Sequence, residues 1–124
     1  MAKSVHNEVL DESLNHLKNN VDKMVVCSQQ PTSYTEANDS YALADVSMTA
    51  SDFTIADGDT SGRKVTVAQK SGVTVDDTGT GNHVALLDAS ASKLLYVTTS
   101  TSQSLTSGNT MTFESFDIEI RDPS

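Results

Sequence analysis

Residues 83–99 read HVALLDASASKLLYVTT, and their pattern is the strongest structural signal in the sequence. Two apolar runs flank four small residues, which is typical of a β-hairpin with a short turn. We expect residues 84–86 to pair with residues 95–97 across a turn at residues 89–92. Burial of each large aliphatic side chain there would contribute about 1.5–3 kcal/mol. The sequence therefore predicts this hairpin as the centre of a sheet.

Other short segments with β-branched or aromatic residues at period two predict further strands. They recur about every 8–12 residues, with turn-forming residues between them, which indicates antiparallel strands rather than βαβ units. The predicted strands are 24–27, 43–48, 64–69, 73–75, 83–88, 93–99, 110–113 and 116–121, and the predicted turns include 57–59, 71–72, 77–81 and 107–109. The Ser/Thr-rich run 98–107 is expected to be an exposed edge strand or a loop.

A helix is predicted before the first strand, over residues 7–19. Apolar residues recur at helical spacing, carboxylates lie in the first turns and a lysine lies near the end, as the helix dipole favours. The apolar residues form one stripe along the helix, here called the helix stripe. It comprises Leu10, Leu14, Leu17 and Val21. The expected fold class is α+β, with an N-terminal amphipathic helix docked on an antiparallel β-sandwich or partly open barrel. We expect one domain over residues 1–124, with the helix in 1–21 and a β-rich body in 22–124.

Composition excludes several functional classes. The 124 residues carry a net charge of −9, with 17 carboxylates against 8 Lys and Arg. Nucleic acid is therefore not an expected partner, since phosphate neutralisation needs clustered cations. No apolar run approaches the roughly 18 residues that span a bilayer, and the N-terminus lacks a signal-peptide core, so neither a membrane nor an export route is expected. A single cysteine excludes an intramolecular disulfide.

One acidic motif resembles the start of a calcium-binding loop. Residues 57–62 read DGDTSG, which would place oxygen ligands on Asp57, Asp59 and Ser61. The twelfth position of such a loop needs a bidentate carboxylate, and here it is Ala68. A solvated acidic turn is the preferred interpretation, and these three residues are only weak metal candidates.

A second motif, Asp77-Thr78-Gly79, is the tripeptide of aspartic proteases. Such an enzyme would need two copies whose carboxylates share a proton. The second signature, two aliphatic residues followed by Gly, is absent from the sequence. A retropepsin-like protease is therefore kept only as a remote alternative, and we expect no enzyme.

The remaining reactive residue types do not form a recognisable constellation. The three histidines, His6, His16 and His83, lack the spacing of a zinc site, and Cys27 lies in an apolar strand where a thiol is a poor nucleophile. No phosphate-binding or dinucleotide motif is present. We therefore expect no cofactor and no catalytic residues, and a binding or assembly role is favoured.

Several stretches resemble small virion structural proteins of tailed bacteriophages. The clearest is VVCSQQPTSYTEA at residues 25–37. The similarity extends to NEVLD at 7–11, SGRKV at 61–65, HVAL at 83–86 with LLYV at 94–97, and DIEI at 117–120. The resemblance spans nearly the whole chain and implies an assembly component without catalytic residues.

Within such a particle, the acidic charge favours the outer surface over the packaged genome. We expect a capsid decoration protein that binds the major capsid protein, acts as a homo-oligomer on the virion, and is synthesised in the host cytoplasm. Two candidate contact surfaces are the helix stripe and the strand edge at residues 98–106, although the leucines of the stripe are more simply explained as core. The alternative is a tail, neck or fibre-associated component or receptor-binding module, for which exposed Tyr34 and Tyr41 would be the adhesive aromatics.

Overall fold

The computed structural model describes residues 6–120 and confirms the α+β class, with one α-helix packed on antiparallel strands. The strands form sheets of four, three and two members, in the orders β2-β1-β6-β7, β3-β4-β9 and β5-β8. The elements are α1 (Asn7–Asn20), β1 (Lys23–Cys27), β2 (Ala42–Ser47), β3 (Phe53–Asp57), β4 (Arg63–Val67), β5 (Lys70–Thr74), β6 (Gly79–Asp88), β7 (Lys93–Leu105), β8 (Thr110–Phe113) and β9 (Phe116–Ile120), with a π-helical turn at Glu36–Ser40 and a 3-10 turn at Ala50–Asp52.

These elements form two compact units that are interleaved along the chain. Among the described residues, unit 1 comprises 6–20, 49–69 and 114–120, and unit 2 comprises 21–48 and 70–113. Unit 1 therefore holds α1 with β3, β4 and β9, and unit 2 holds the other six strands. The expectation of one domain over the whole chain stays a prediction.

Unit 1 is an amphipathic three-stranded sheet covered by the helix. Strand alternation places Phe53, Val65 and Val67 on one face, where all three are buried. The helix packs on β3 and β4, and Leu10 and Leu14 of its stripe are buried, whereas Leu17 is half-buried. The predicted helix, its boundaries to within one residue, and the core role of its stripe are confirmed.

Unit 2 contains the predicted central hairpin. In β6 and β7, Ala85 lies opposite Val97 and Leu86 opposite Tyr96, so the expected hairpin is confirmed, although Val84 lies opposite Thr98 and the pairing is shifted by one residue. Strand β1 lies on the other side of β6, and its residues 24–27 are all buried. The apolar segments of β1, β6 and β7 are thus neighbours in one sheet.

One strand was not predicted. Strand β3 (Phe53–Asp57) precedes the acidic turn and pairs with β4, with Ile55 opposite Val65. Only two large apolar residues, Phe53 and Ile55, alternate in this segment. That pattern is too short to identify a strand locally, and the pairing with β4 and the contact with α1 supply its stability.

The predicted turn at residues 77–81 is partly wrong. Strand β6 begins at Gly79, and Gly81 is buried within it. A Cβ atom at Gly81 would lie 2.6 Å from Val26 Cγ2 and 3.3 Å from Leu105 Cδ1. This glycine is therefore required for the close approach of neighbouring side chains rather than for a turn, a role that a strand glycine can have.

Other boundaries also differ from expectation: strand β5 begins at Lys70 and contains residues 71–72, which were predicted to form a turn. A π-helical turn lies at Glu36–Ser40, between β1 and β2. Strand β7 continues past the predicted end at 99 to Leu105, and it lies at the end of its sheet. The Ser/Thr-rich run is thus an exposed edge strand, as one of the two predicted options stated.

Candidate functional site

The weak metal candidates lie in the turn between β3 and β4, where their carboxylates contact cations of the same unit. Asp57 Oδ1 lies 2.7 Å from Arg63 Nη1, and Asp59 Oδ1 lies 2.8 Å from Lys64 Nζ. These hydrogen bonds, with others to Asp11 and Asp117, raise the pKa of both cations. The arrangement is a pair of salt bridges that brace the turn.

The backbone of this turn is also closely packed. Gly58 N–H donates to Gly62 O at 2.9 Å, and a Cβ atom at Gly58 would overlap the carbonyl oxygen of Ser61. Glu119 Oε1 accepts a hydrogen bond from the backbone N–H of Asp59. Within residues 6–120, no group of three or more His, Cys, Asp or Glu side chains could hold a metal ion.

The protease tripeptide is divided between a loop and a strand. The backbone N–H of Asp77 donates to Leu43 O at 3.1 Å, and Thr78 Oγ1 accepts a hydrogen bond from Ser107 N at 3.0 Å. Gly79 is the first residue of β6. Each of the three residues thus contributes to the local connection between strands.

The histidines and the cysteine lie on separate elements. His16 is near Asn20 on the helix, and His83 Nδ1 lies 2.6 Å from Asn82 Oδ1 on β6. Cys27 is buried in β1, its Sγ lies 3.8 Å from Ala37 O, and burial raises the pKa of its thiol to about 11. The thiol of Cys27 is therefore protonated at neutral pH and packs as a small apolar group.

The two tyrosines considered for adhesion pack against the core of unit 2. Tyr34 and Tyr41 are half-buried beside a buried cluster that includes Val25, Cys27 and Ala37. The hydroxyl of Tyr41 donates to Glu36 Oε2 at 3.2 Å. Their rings help to hold the π-helical turn on the sheet, which weakens the argument for an aromatic adhesive loop.

A shallow groove lies in unit 1 between the helix and the edge strand β3. Its volume is about 480 Å³. In it, Lys18 Nζ donates to the carbonyl oxygen of Phe53 at 2.9 Å, and Arg63 Nε donates to Asp11 Oδ1 at 2.8 Å. The cations of the groove are thus used to attach α1 to the sheet.

Sequence reasoning missed Asp22, whose carboxylate holds the turn of the central hairpin. Asp22 Oδ1 accepts a hydrogen bond from Ala89 N at 2.7 Å, and Oδ2 accepts hydrogen bonds from Ser90 Oγ at 2.9 Å and Ser90 N at 3.3 Å. No local pattern could reveal this contact, because its partners lie 67 and 68 residues away. Asp22 stabilises a turn in which Ser92 has a φ of +56°, a conformation that non-glycine residues rarely adopt.

Replacing Asp22 by Asn is expected to destabilise the protein at neutral pH. Partial burial raises the pKa of this carboxyl, but the hydrogen bonds from Ala89 and Ser90 outweigh it and hold the pKa below the usual 3.8. The ionised form thus stabilises the fold above that pH, and the contribution is lost as the pH falls through 3.8 and then through the lower folded-state pKa. Loss of hydrogen bonds to a charged group should cost about 1.5–3 kcal/mol.

Urea unfolding of wild type and Asp22→Asn at a series of pH values measures this effect. The difference in the free energy of unfolding should be largest near pH 7 and should narrow below pH 4, where the wild-type carboxyl becomes protonated. Asp39→Asn, at an exposed position of the π-helical turn, is the matched control and should change stability little. A constant difference across the pH series would contradict the assignment.

The longest exposed strand segment is the second half of β7. Residues 99–104, which read TSTSQS, are exposed, and Leu105 that follows is buried. Residues 94–113 contain no Asp, Glu, Lys, Arg or His, although charged residues make up 20% of the chain. We name residues 99–104 the β7 edge. Of the two contact surfaces expected from sequence, the helix stripe is largely used inside unit 1, whereas the β7 edge is accessible.

No family model, curated protein or solved structure matches this chain. No helix within residues 6–120 has the length and apolarity needed to cross a membrane.

Proposed function

We propose that this chain is a structural protein of a tailed-bacteriophage virion, and specifically a capsid decoration protein that binds the outer surface of the major capsid lattice. The proposal rests on the resemblance of residues 25–37 and the other quoted stretches to small virion proteins. The observation that carries it furthest is the β7 edge, an uncharged, exposed strand in an otherwise acidic chain. Such an edge is suited to assembly with other chains through backbone hydrogen bonds, as a virion structural protein requires.

The roles of the carboxylates described above support the same proposal. Asp57 and Asp59 bind cations of their own turn, and Asp22 holds a hairpin. Carboxylates used in this way stabilise the local structure of their own unit. The chain as a whole carries a net charge of −9, which opposes contact with packaged DNA and favours the outer face of a shell.

The mechanism is multivalent stabilisation. Each copy buries a modest area against neighbouring capsid subunits, and the many copies on a lattice add their contributions. A shell held together in this way resists internal pressure better than the bare lattice. The protein acts through adhesion and shape, with no chemical step.

Particles that lack this protein are expected to assemble but to break at a lower temperature and under milder osmotic shock. Release of DNA during heating, followed with an intercalating dye, measures the difference, and adding back the purified protein should restore the wild-type release temperature. Add-back of bovine serum albumin at equal mass is the control. Heads that are equally robust without the protein would refute the decoration role, and its detection by cryo-electron microscopy on the tail would assign it to the alternative position.

A further inference from the structure

The β7 edge has an open backbone side. Strand β7 is the last member of the order β2-β1-β6-β7, and among residues 6–120 β6 is the strand that pairs with it. Alternate residues of such an edge direct their N–H and C=O groups away from the sheet. Residues 99–104 are exposed. Their outward backbone groups are therefore accessible to a strand from another chain.

The pairing with β6 is also incomplete in this segment. Gly81 lies opposite Gln103 and His83 lies opposite Thr99, so residues 100–102 stand opposite Asn82 alone. One residue of β6 cannot satisfy the backbone groups of three residues of β7. The middle of the β7 edge thus has more unpaired backbone than a regular edge strand of the same length.

The sequence of the β7 edge lacks the side chains that usually prevent association. Monomeric proteins protect edge strands with charged residues, especially Lys, or with Pro. Residues 94–105 contain neither. Two copies that each carry a charge of −9 repel one another over most of their surfaces, and an uncharged strand is where they can approach without like-charge contacts.

The β7 edge is self-complementary when it is read against itself in the antiparallel direction. Centred on Thr101, Thr99 would lie opposite Gln103 of the second copy, Ser100 opposite Ser102, and Val97 opposite Leu105. Every polar residue meets an uncharged polar residue, and the apolar residues meet each other. We propose that β7 pairs antiparallel with β7 of a second copy of this chain, about a two-fold axis at Thr101, to form a homodimer. A two-fold axis is the commonest symmetry of soluble oligomers.

Charge substitutions at the axis test the proposal in solution, without a virion. Wild-type protein should sediment at twice 13.2 kDa. Thr101→Lys places two ammonium groups opposite each other, and Thr101→Glu does the same with carboxylates, so each variant alone should dimerise about tenfold or more weakly. An equimolar mixture of the two variants should recover the dimer, because each axis then pairs Lys with Glu. Circular dichroism checks that both variants are folded.

The matched controls are Thr74→Lys and Thr74→Glu, which alter an exposed strand threonine on β5 and should leave the dimer unchanged. A wild-type protein that remains a monomer would overturn the proposal. It would indicate that the irregular pairing at residues 100–102 prevents the edge from associating with another strand. A dimer unaffected by both Thr101 substitutions, or a mixture that stays monomeric, would overturn it as well. Because these outcomes are read in purified protein, they are independent of the result obtained with heads.

Discussion

Replacing Leu14 by Ala is expected to lower the free energy of unfolding by about 2–5 kcal/mol, which is the range for a fully buried leucine. Leu14 is 0% exposed, and α1 packs on β3 and β4 of unit 1. Truncation removes three carbon atoms from that contact and leaves a cavity between the helix and the sheet of unit 1. Urea unfolding followed by circular dichroism measures the loss.

The same helix offers a matched control. Val9 is 63% exposed, so Val9→Ala removes apolar surface that is already in contact with water. Its effect on stability should stay within about 0.5 kcal/mol, as for most surface substitutions. If Leu14→Ala lowered the free energy of unfolding no more than Val9→Ala, the packing described for α1 on its sheet would be contradicted.

Replacing Gly81 by Ala is expected to destabilise the protein by about 1–3 kcal/mol, the usual cost of overpacking a close contact. The new Cβ atom would lie 2.6 Å from Val26 Cγ2, which is closer than carbon atoms approach without displacement. Strands β1 and β6 are both in the centre of their sheet, so neither can move away freely. If residue 81 instead lay in a turn, as the sequence suggests, the same substitution would have little effect.

A double-mutant cycle identifies the cause of that destabilisation. Val26→Ala removes the methyl group that the new Cβ atom would strike, so the double variant should be less destabilised than the sum of the two single variants. The expected coupling is about 0.5–3 kcal/mol, as for residues in direct contact. Additive effects would mean that the two side chains do not meet.

The sequence predicts most of this fold because the decisive signals are local. Leucines at helical spacing identify α1, and two apolar runs around small residues identify the β6–β7 hairpin. Strand β3 escapes prediction because its stability depends on β4 and on the helix. Gly81 is misassigned because a glycine among Asp, Thr and Gly residues has the composition of a turn, whereas its role depends on Val26, which is distant in sequence.

In the candidate sites, too, features encoded locally could be predicted from the sequence, and features that depend on distant residues could not. The turn at Asp57 and Asp59 could be found from sequence, but the salt bridges that engage these carboxylates could not, since charge alone does not give a partner. The role of Asp22 depends on a turn 67 residues later. By contrast, the exposed Ser/Thr-rich strand could be anticipated, because a run with one apolar residue cannot form core on either face.

The interleaving of the two units has a consequence for biosynthesis. Strand β4 pairs with β3, which is adjacent along the chain, and on its other side with β9, where Arg63 lies opposite Ile120. During translation, the whole of unit 2 is synthesised before β9. One side of β4 therefore remains unpaired until β9 has left the ribosome. Closure of so long a loop slows folding and prolongs the time for which the backbone edge of β4 is open to other nascent chains. Rapid overexpression should therefore favour inclusion bodies, and slower synthesis at low temperature should favour the native protein.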